Sequence, residues 1–268
     1  MRASICTAAV LLSGVSGSGV LGQPSPAPLL FTELYTEPFG EAAVRETPLA
    51  MTPAAGGGET SATMPAVGLT FQRMSPDDFG EWHPTPQPKF SLTLTGAIDI
   101  EVTGGRRVRV GPGNILYPGD SIGKGHRNHP VGEVTRTSAQ VLQEAPEACR
   151  DSQYCVGVAD GGTVSVTRVS VDATGRMRAT PFDRPSAEVS RVAGMRFLRM
   201  GEEEVARAPH ARQYAIVLRG GGELTAGDGR VAFASGTVLV FEGEQGPEWT
   251  WRAADRLLLA LFPLADPP

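Results

Sequence analysis

The chain has 268 residues, 41% apolar and 20% charged, with a formal net charge of −5. That balance excludes wholesale disorder and a multi-span membrane protein, and an acidic chain without a basic stripe argues against a nucleic-acid partner. Gly 33 and Pro 22 occur without a triplet period, which excludes collagen and favours turn-dense all-β structure.

The N-terminus reads as an export signal. Arg2 precedes a short apolar run, Ile5 to Leu12, then small residues Ser13 to Gly19. Val20-Leu21-Gly22 suits the cleavage positions, so residues 1–22 read as a signal peptide and the mature protein as exported, periplasmic or secreted. The mature chain has no integral membrane segment, since no later run is long and apolar enough. Residues 23–66 read as a linker and N-terminal arm. They hold a proline-rich start, one strand near Leu30–Tyr35, and a low-complexity loop over 52–66.

Residues 67–145 read as one β unit. Phe90, Leu92 and Leu94 alternate with Lys89, Ser91, Thr93 and Thr95, and Gly96 breaks the run. Ile98, Ile100 and Val102 alternate with Asp99 and Glu101. Thr103-Gly104-Gly105 turns into Arg107–Val110, and Gly111-Pro112-Gly113 turns into Asn114–Tyr117. Period-2 alternation between glycine turns marks the antiparallel hairpins of a sandwich or barrel.

Residues 146–195 connect this unit to the next. They hold Cys149 and Cys155, and a hairpin signal from Val164 to Met177. Cleavage removes Cys6, so the remaining pair reads as one disulfide, worth about 2 kcal/mol for so short a loop. A metal pair there lacks a further Cys or His nearby in sequence to complete it. Residues 196–268 repeat the pattern of the first unit. Gln213–Gly220 echoes Lys89–Gly96, and Gly236–Val240 echoes Gly113–Tyr117, at nearly one offset. An internal duplication of a β unit fits both.

Two segments resemble the motifs of the cupin superfamily. One runs from Trp82-His83-Pro84-Thr85 through Lys89-Phe90 to Gly96. The other runs from Gly111-Pro112-Gly113 to Pro118-Gly119-Asp120 and ends in Gly123-Lys124-Gly125-His126. The match is similar to a bacterial subgroup with a Trp-His-x-x-Pro start and a Gly-Lys-Gly-His end. The resemblance implies an all-β fold of two jelly-roll (cupin) barrels in tandem, with the second degenerate. It also implies a metal held by three His and one Glu. Counted back from Gly96, those positions are His83, Thr85 and Lys89, with His126 last. In the second barrel Gln213 takes the Glu position and Trp249 the last His position. Arg207 falls at the first His position, with His210 displaced from it.

His83 and His126 are therefore the candidate metal ligands, for a single divalent transition metal in the first barrel, with Asp120 or His129 as a third ligand. A lysine at the Glu position opposes such a cation. Lys89 and Lys124 are the only lysines, and every other basic residue of the 24 is arginine. Both lie in the motif segments, so both are candidates to bind a carboxylate or phosphate. With Lys89 pointing inward, period 2 sends Ser91, Thr93 and Thr95 inward and makes the first barrel polar. Ala215 and Val217 make the second drier. Thr93, Asp120 and Tyr117 complete the candidate ligand-binding set, with Trp82 and Tyr117 as pocket walls.

The expected function is binding of a small polar or anionic molecule in the first barrel. A metal-dependent dioxygenase, isomerase or lyase and a metal-free structural or assembly unit stay open. Cupin barrels commonly pair, so the row Phe90, Leu92, Leu94 is expected to cover the other barrel or the partner in a homodimer.

Overall fold

A computed structural model describes residues 27–266, except 79, 86, 144–161, 173, 175, 187, 209–210 and 243–247. The first half contains β1 (Leu29–Thr36), β2 (Ala42–Leu49), β3 (Met51–Pro53), β4 (Glu59–Ser61), β5 (Gly68–Met74), β6 (Trp82–His83), β7 (Lys89–Thr95), β8 (Ile98–Val102), β9 (Arg107–Val110), β10 (Ile115–Pro118), β11 (His126–Pro130) and β12 (Arg136–Leu142). The second contains β13 (Thr163–Val171), β14 (Met177–Pro185), β15 (Ser190–Arg191), β16 (Arg196–Met200), β17 (Val205–Ala208), β18 (Gln213–Arg219), β19 (Gly221–Ala226), β20 (Gly229–Ala234), β21 (Val238–Phe241), β22 (Trp249–Ala253) and β23 (Leu257–Pro263). Among the described residues there is one 3-10 turn, Pro76–Asp78, and no α-helix.

The strands form two jelly-roll barrels, each from one large and one four-stranded sheet. The large sheets run β15-β5-β12-β7-β10-β1-β2 and β4-β16-β23-β18-β21-β13-β14, the latter extended by β3. The small sheets run β6-β11-β8-β9 and β17-β22-β19-β20. The order is the same strand for strand, so the duplication extends well beyond the two repeated segments. Even an irregularity repeats. The β7–β12 ladder skips Leu94, and the β18–β23 ladder skips Leu218. Each is a bulge at the equivalent place.

The two halves exchange their lead-in strands. β4, just ahead of β5 in the chain, pairs with β16 of the second barrel, and β15, just ahead of β16, pairs with β5 of the first. Residues 52–66, expected as a loop, therefore contain most of β3 and all of β4. A three-residue strand is too short to show a period, and here the pairing partner creates it. Residues 146–195 likewise supply β13 and β14 to the second barrel's large sheet.

The largest apolar cluster lies between the barrels. Phe90, Leu92 and Leu94 of β7 share it with Tyr214, Ile216 and Leu218 of β18. The apolar row of β7 thus covers the other barrel of the same chain. Burial of these rows holds the barrels face to face, at roughly 25 cal/mol per Å² of apolar surface. The second barrel's interior is a separate apolar cluster around Ala215, Val217, Trp249 and Trp251.

Candidate functional site

The interior of the first barrel is polar because three adjacent strands point polar residues inward. On β7 the inward side chains are Lys89, Ser91 and Thr93. On β12 they are Arg136, Ser138 and Gln140, all buried. The register sets Gln140 beside Ser91 and Thr70, and Ser138 beside Thr93 and Gln72. Arg136 spans this face. Its Nη2 donates to Thr93 Oγ1 at 2.8 Å and Ser91 Oγ at 3.1 Å, and its Nη1 donates to Ser138 Oγ at 3.2 Å. Gln140 Nε2 donates to Ser138 Oγ at 2.8 Å and Ser91 Oγ at 3.0 Å.

Two cations share this interior. Arg136 is 3% exposed, and burial alone pushes its guanidinium down to about 10. Lys89 is 9% exposed, and burial, then the charge of Arg136, pushes its ammonium down to about 8. The acceptors of Arg136 among the described residues are all hydroxyls, and none is a carboxylate. Hydroxyl dipoles offset only part of the cost of burying a charge. The buried Arg136 Nε, Gln140 Oε1 and Thr70 Oγ1 have no hydrogen-bond partner among the described residues.

A second constellation adjoins the first. β6 and β11 pair so that His83 stands opposite His126, with ring centroids 4.5 Å apart and planes at 59°. His126 Nδ1 donates to Asp120 Oδ2 at 2.7 Å. Asp120 is fully buried, and its Oδ1 accepts from Thr85 Oγ1 at 2.8 Å. His83 Nδ1 donates to the Glu81 carbonyl at 3.0 Å. In both contacts the ring nitrogen is the donor, so both imidazoles carry hydrogen on Nδ1. Burial, then the His126 charge, holds His83 below the ordinary histidine range. The charges of Asp120 and Lys89 also act on it, in opposite directions, which places the histidine pair and the cation pair in one electrostatic environment.

Gly125 makes the histidine pairing possible. Its φ is +72°, and a Cβ there would lie 2.1 Å from the His83 carbonyl oxygen. Only glycine combines that left-handed conformation with so close an approach.

The structure brings Lys89, Thr93, Asp120, His83 and His126 together. It places Lys124, Tyr117, His129 and Thr95 apart from them. Lys124 is exposed, with Nζ 3.9 Å from the centroid of the Trp82 ring. On a two-residue strand His83 and Trp82 face opposite ways, so Trp82 carries Lys124 outside. Tyr117 lies two residues from Ile115 and so shares its outward face, packed on Phe31 and Phe90, with its hydroxyl donating to Gln143 Oε1 at 3.2 Å. His129 donates from Nε2 to Glu101 Oε2 at 2.6 Å on the outer face of β11. Thr95 is exposed because the Leu94 bulge ends the period-2 alternation.

Cys149, Cys155 and His210 lie outside the described residues. Arg136, Ser138 and Gln140 were missed from sequence. The signal was the alternation of these three with Thr137, Ala139 and Val141, which marks a strand with one polar face.

The donor set does not fit the metal centre implied by the resemblance. Thr85 and Lys89 stand at two of the four ligand positions. Asp120 is committed to His126 and Thr85. Among the described residues no group of three or more His, Cys, Asp or Glu is placed to hold a metal ion. The second barrel fits still less. Ala208 pairs with Trp249 as His83 pairs with His126. The motif count reaches Arg207, but the segment before β18 is one residue shorter than its counterpart, so Ala208 takes the place. Arg207 faces solvent beside Glu248.

No family model matches the chain, and no curated protein matches it. Several solved structures resemble it remotely. A protein described as a putative glyoxylate induced protein from Pseudomonas aeruginosa is 11% identical with a TM-score of 0.37, over 92% of this chain and 94% of that one. A salicylate 1,2-dioxygenase from Pseudaminobacter salicylatoxidans is 12% identical with a TM-score of 0.37, over 74% of this chain and 71% of that one. A cupin 2 conserved barrel domain protein from Leptotrichia buccalis is 11% identical with a TM-score of 0.33, over 81% and 88%. The strand order of the chain itself carries the conclusion about fold: two jelly-roll barrels in tandem.

Proposed function

We propose that the first barrel binds a small anionic molecule, its charge taken up by Arg136 and Lys89. One observation supports this above the rest. Arg136 is a buried guanidinium whose hydrogen bonds among the described residues all go to hydroxyls. Ser91, Thr93 and Ser138 orient it, and an anion would supply a countercharge and accept from it in a charge-assisted geometry. The apolar second barrel acts as scaffold. Export belongs to the same reading and rests on residues 1–22 alone.

The test is calorimetric titration of the mature protein with phosphate, oxalate and pyruvate against chloride at matched ionic strength. Saturable binding of at least one, weakened at least about tenfold by Arg136→Gln, supports the site. The absence of saturable heat and of any thermal shift with all three overturns it.

A further inference from the structure

We infer that Lys89 is an amine nucleophile that captures a small 2-oxo acid as an imine, while Arg136 holds the acid's carboxylate. This rests on the anion-binding reading above and names the chemical class of the ligand.

The first support is the choice of residue. Arginine is the cation this chain uses almost everywhere, and an arginine would serve a bound anion well. A guanidinium stays protonated and does not attack a carbonyl. An ammonium relieved of its proton does. Of the two lysines, Lys124 lies outside on Trp82, and only Lys89 lies in the barrel interior.

Geometry is the second support. Arg136 Nη2 reaches Ser91 Oγ at 3.1 Å, and Ser91 is the next inward residue after Lys89 on β7. The guanidinium therefore lies one inward step from Lys89, about 7 Å along the strand at the Cα level. Long side chains can bring the two heads closer than that, and the Arg136 charge acts on Lys89. A 2-oxo acid joins carboxylate and carbonyl carbon through one bond, so one small molecule can meet both heads. The planar guanidinium, already oriented by three hydroxyls, matches a carboxylate. Burial and that charge raise the free-amine fraction of Lys89 near neutral pH well above that of an exposed lysine.

The step balances without an oxidant. The Lys89 Nζ lone pair forms a bond to the carbonyl carbon. The nitrogen loses a proton and the carbonyl oxygen gains one, giving a carbinolamine. That hydroxyl leaves with a further proton as water, and a C=N bond remains in place of C=O. The charge of Lys89 acts on His83, whose imidazole is the candidate to relay these protons.

The two lysines make a built-in comparison. The mature native protein is incubated with pyruvate and sodium cyanoborohydride, which reduces an imine to a stable secondary amine. The adduct is then mapped by peptide mass spectrometry. The expected result is one adduct per chain, of the mass of pyruvic acid less one oxygen, at Lys89 and at least about tenfold more abundant than at Lys124. Acetone, which offers a carbonyl without a carboxylate, should label Lys89 at least about tenfold less than pyruvate. Equal labelling of the two lysines, or labelling of the N-terminal amine alone, overturns the inference. Calorimetry with oxalate, which forms no imine, separates the two readings. Oxalate binding without pyruvate trapping leaves the anion site standing and removes the imine. Loss of both removes both.

Discussion

Asp120 accepts a 2.7 Å hydrogen bond from His126 Nδ1, and no part of its side chain reaches solvent. The same carboxylate accepts from Thr85. It therefore ties the loop after β10 to the segment after β6 and fixes which nitrogen of His126 carries the proton. Asp120→Asn replaces one acceptor oxygen with an N–H that faces a donor. The variant should lose about 1–3 kcal/mol of stability in urea unfolding, and the His126 ring signals should shift by NMR. Unchanged stability and spectra would show that the carboxylate does not hold the ring.

Lys89 should impose a signed pH dependence on stability. In the unfolded chain a lysine holds its proton to about 10.5, and in the fold Lys89 holds it only to about 8. Between those values the unfolded chain binds one more proton, so stability rises with pH across that window. Below it, the cost of burying the ammonium is fully present. Lys89→Met fills a similar volume without charge. It should be more stable than the parent at pH 7 by about 1–3 kcal/mol, and the difference should shrink by pH 10. Paired urea titrations at the two pH values read it, and a constant difference would contradict it.

Purified without a histidine tag, the protein should carry well under one equivalent of Fe, Mn, Cu, Ni or Zn by elemental mass spectrometry. The reason is a lysine and a threonine at two of the four expected ligand positions. One equivalent, lost in His126→Ala, would show that two imidazoles suffice.

Gly125→Ala should damage the site more than a methyl group normally does. The new Cβ would sit 2.1 Å from the His83 carbonyl oxygen, on a backbone with φ +72°. β6 must then move away from β11. We expect about 1–3 kcal/mol of destabilisation and loss of the anion-dependent thermal shift. Gly104→Ala is the control, since its φ is +91° with no heavy atom within 4 Å of the added carbon. It should cost strain alone and spare the shift.

The inter-barrel face should carry much of the stability. Leu92 is fully buried among residues of both barrels. Leu92→Ala should cost about 2–5 kcal/mol, and the barrels should still unfold in one transition, because β4 and β15 bind each barrel to the other. Two resolved transitions by calorimetry would show that the halves are independent.

Local pattern was enough for much of this molecule. Alternation at Lys89–Thr95 and Gln213–Arg219 marked two strands, their inward polar and apolar faces, and the duplication. The same alternation put Lys89 on one face with Ser91 and Thr93, and the structure shows that face to be the interior. Counting from Gly96 paired His83 with His126 correctly, since β6 and β11 are regular there. It failed at Arg207, where one residue fewer before β18 shifts the register and puts Ala208 opposite Trp249. Thr95 was misplaced for a related reason, because a bulge leaves no mark in an alternating sequence.

The sequence by itself determined the all-β class, the repeat, and which residues of β7 share its polar face. Those follow from side-chain period and turn residues, which act over a few positions. Only the tertiary structure decided that Arg136 joins Lys89, that Asp120 serves His126, and that Lys124 and Tyr117 lie outside. Those depend on register between strands far apart in the chain. It also decided the exchange of β4 and β15, since a strand of two or three residues exists only where a partner's backbone hydrogen-bonds to it.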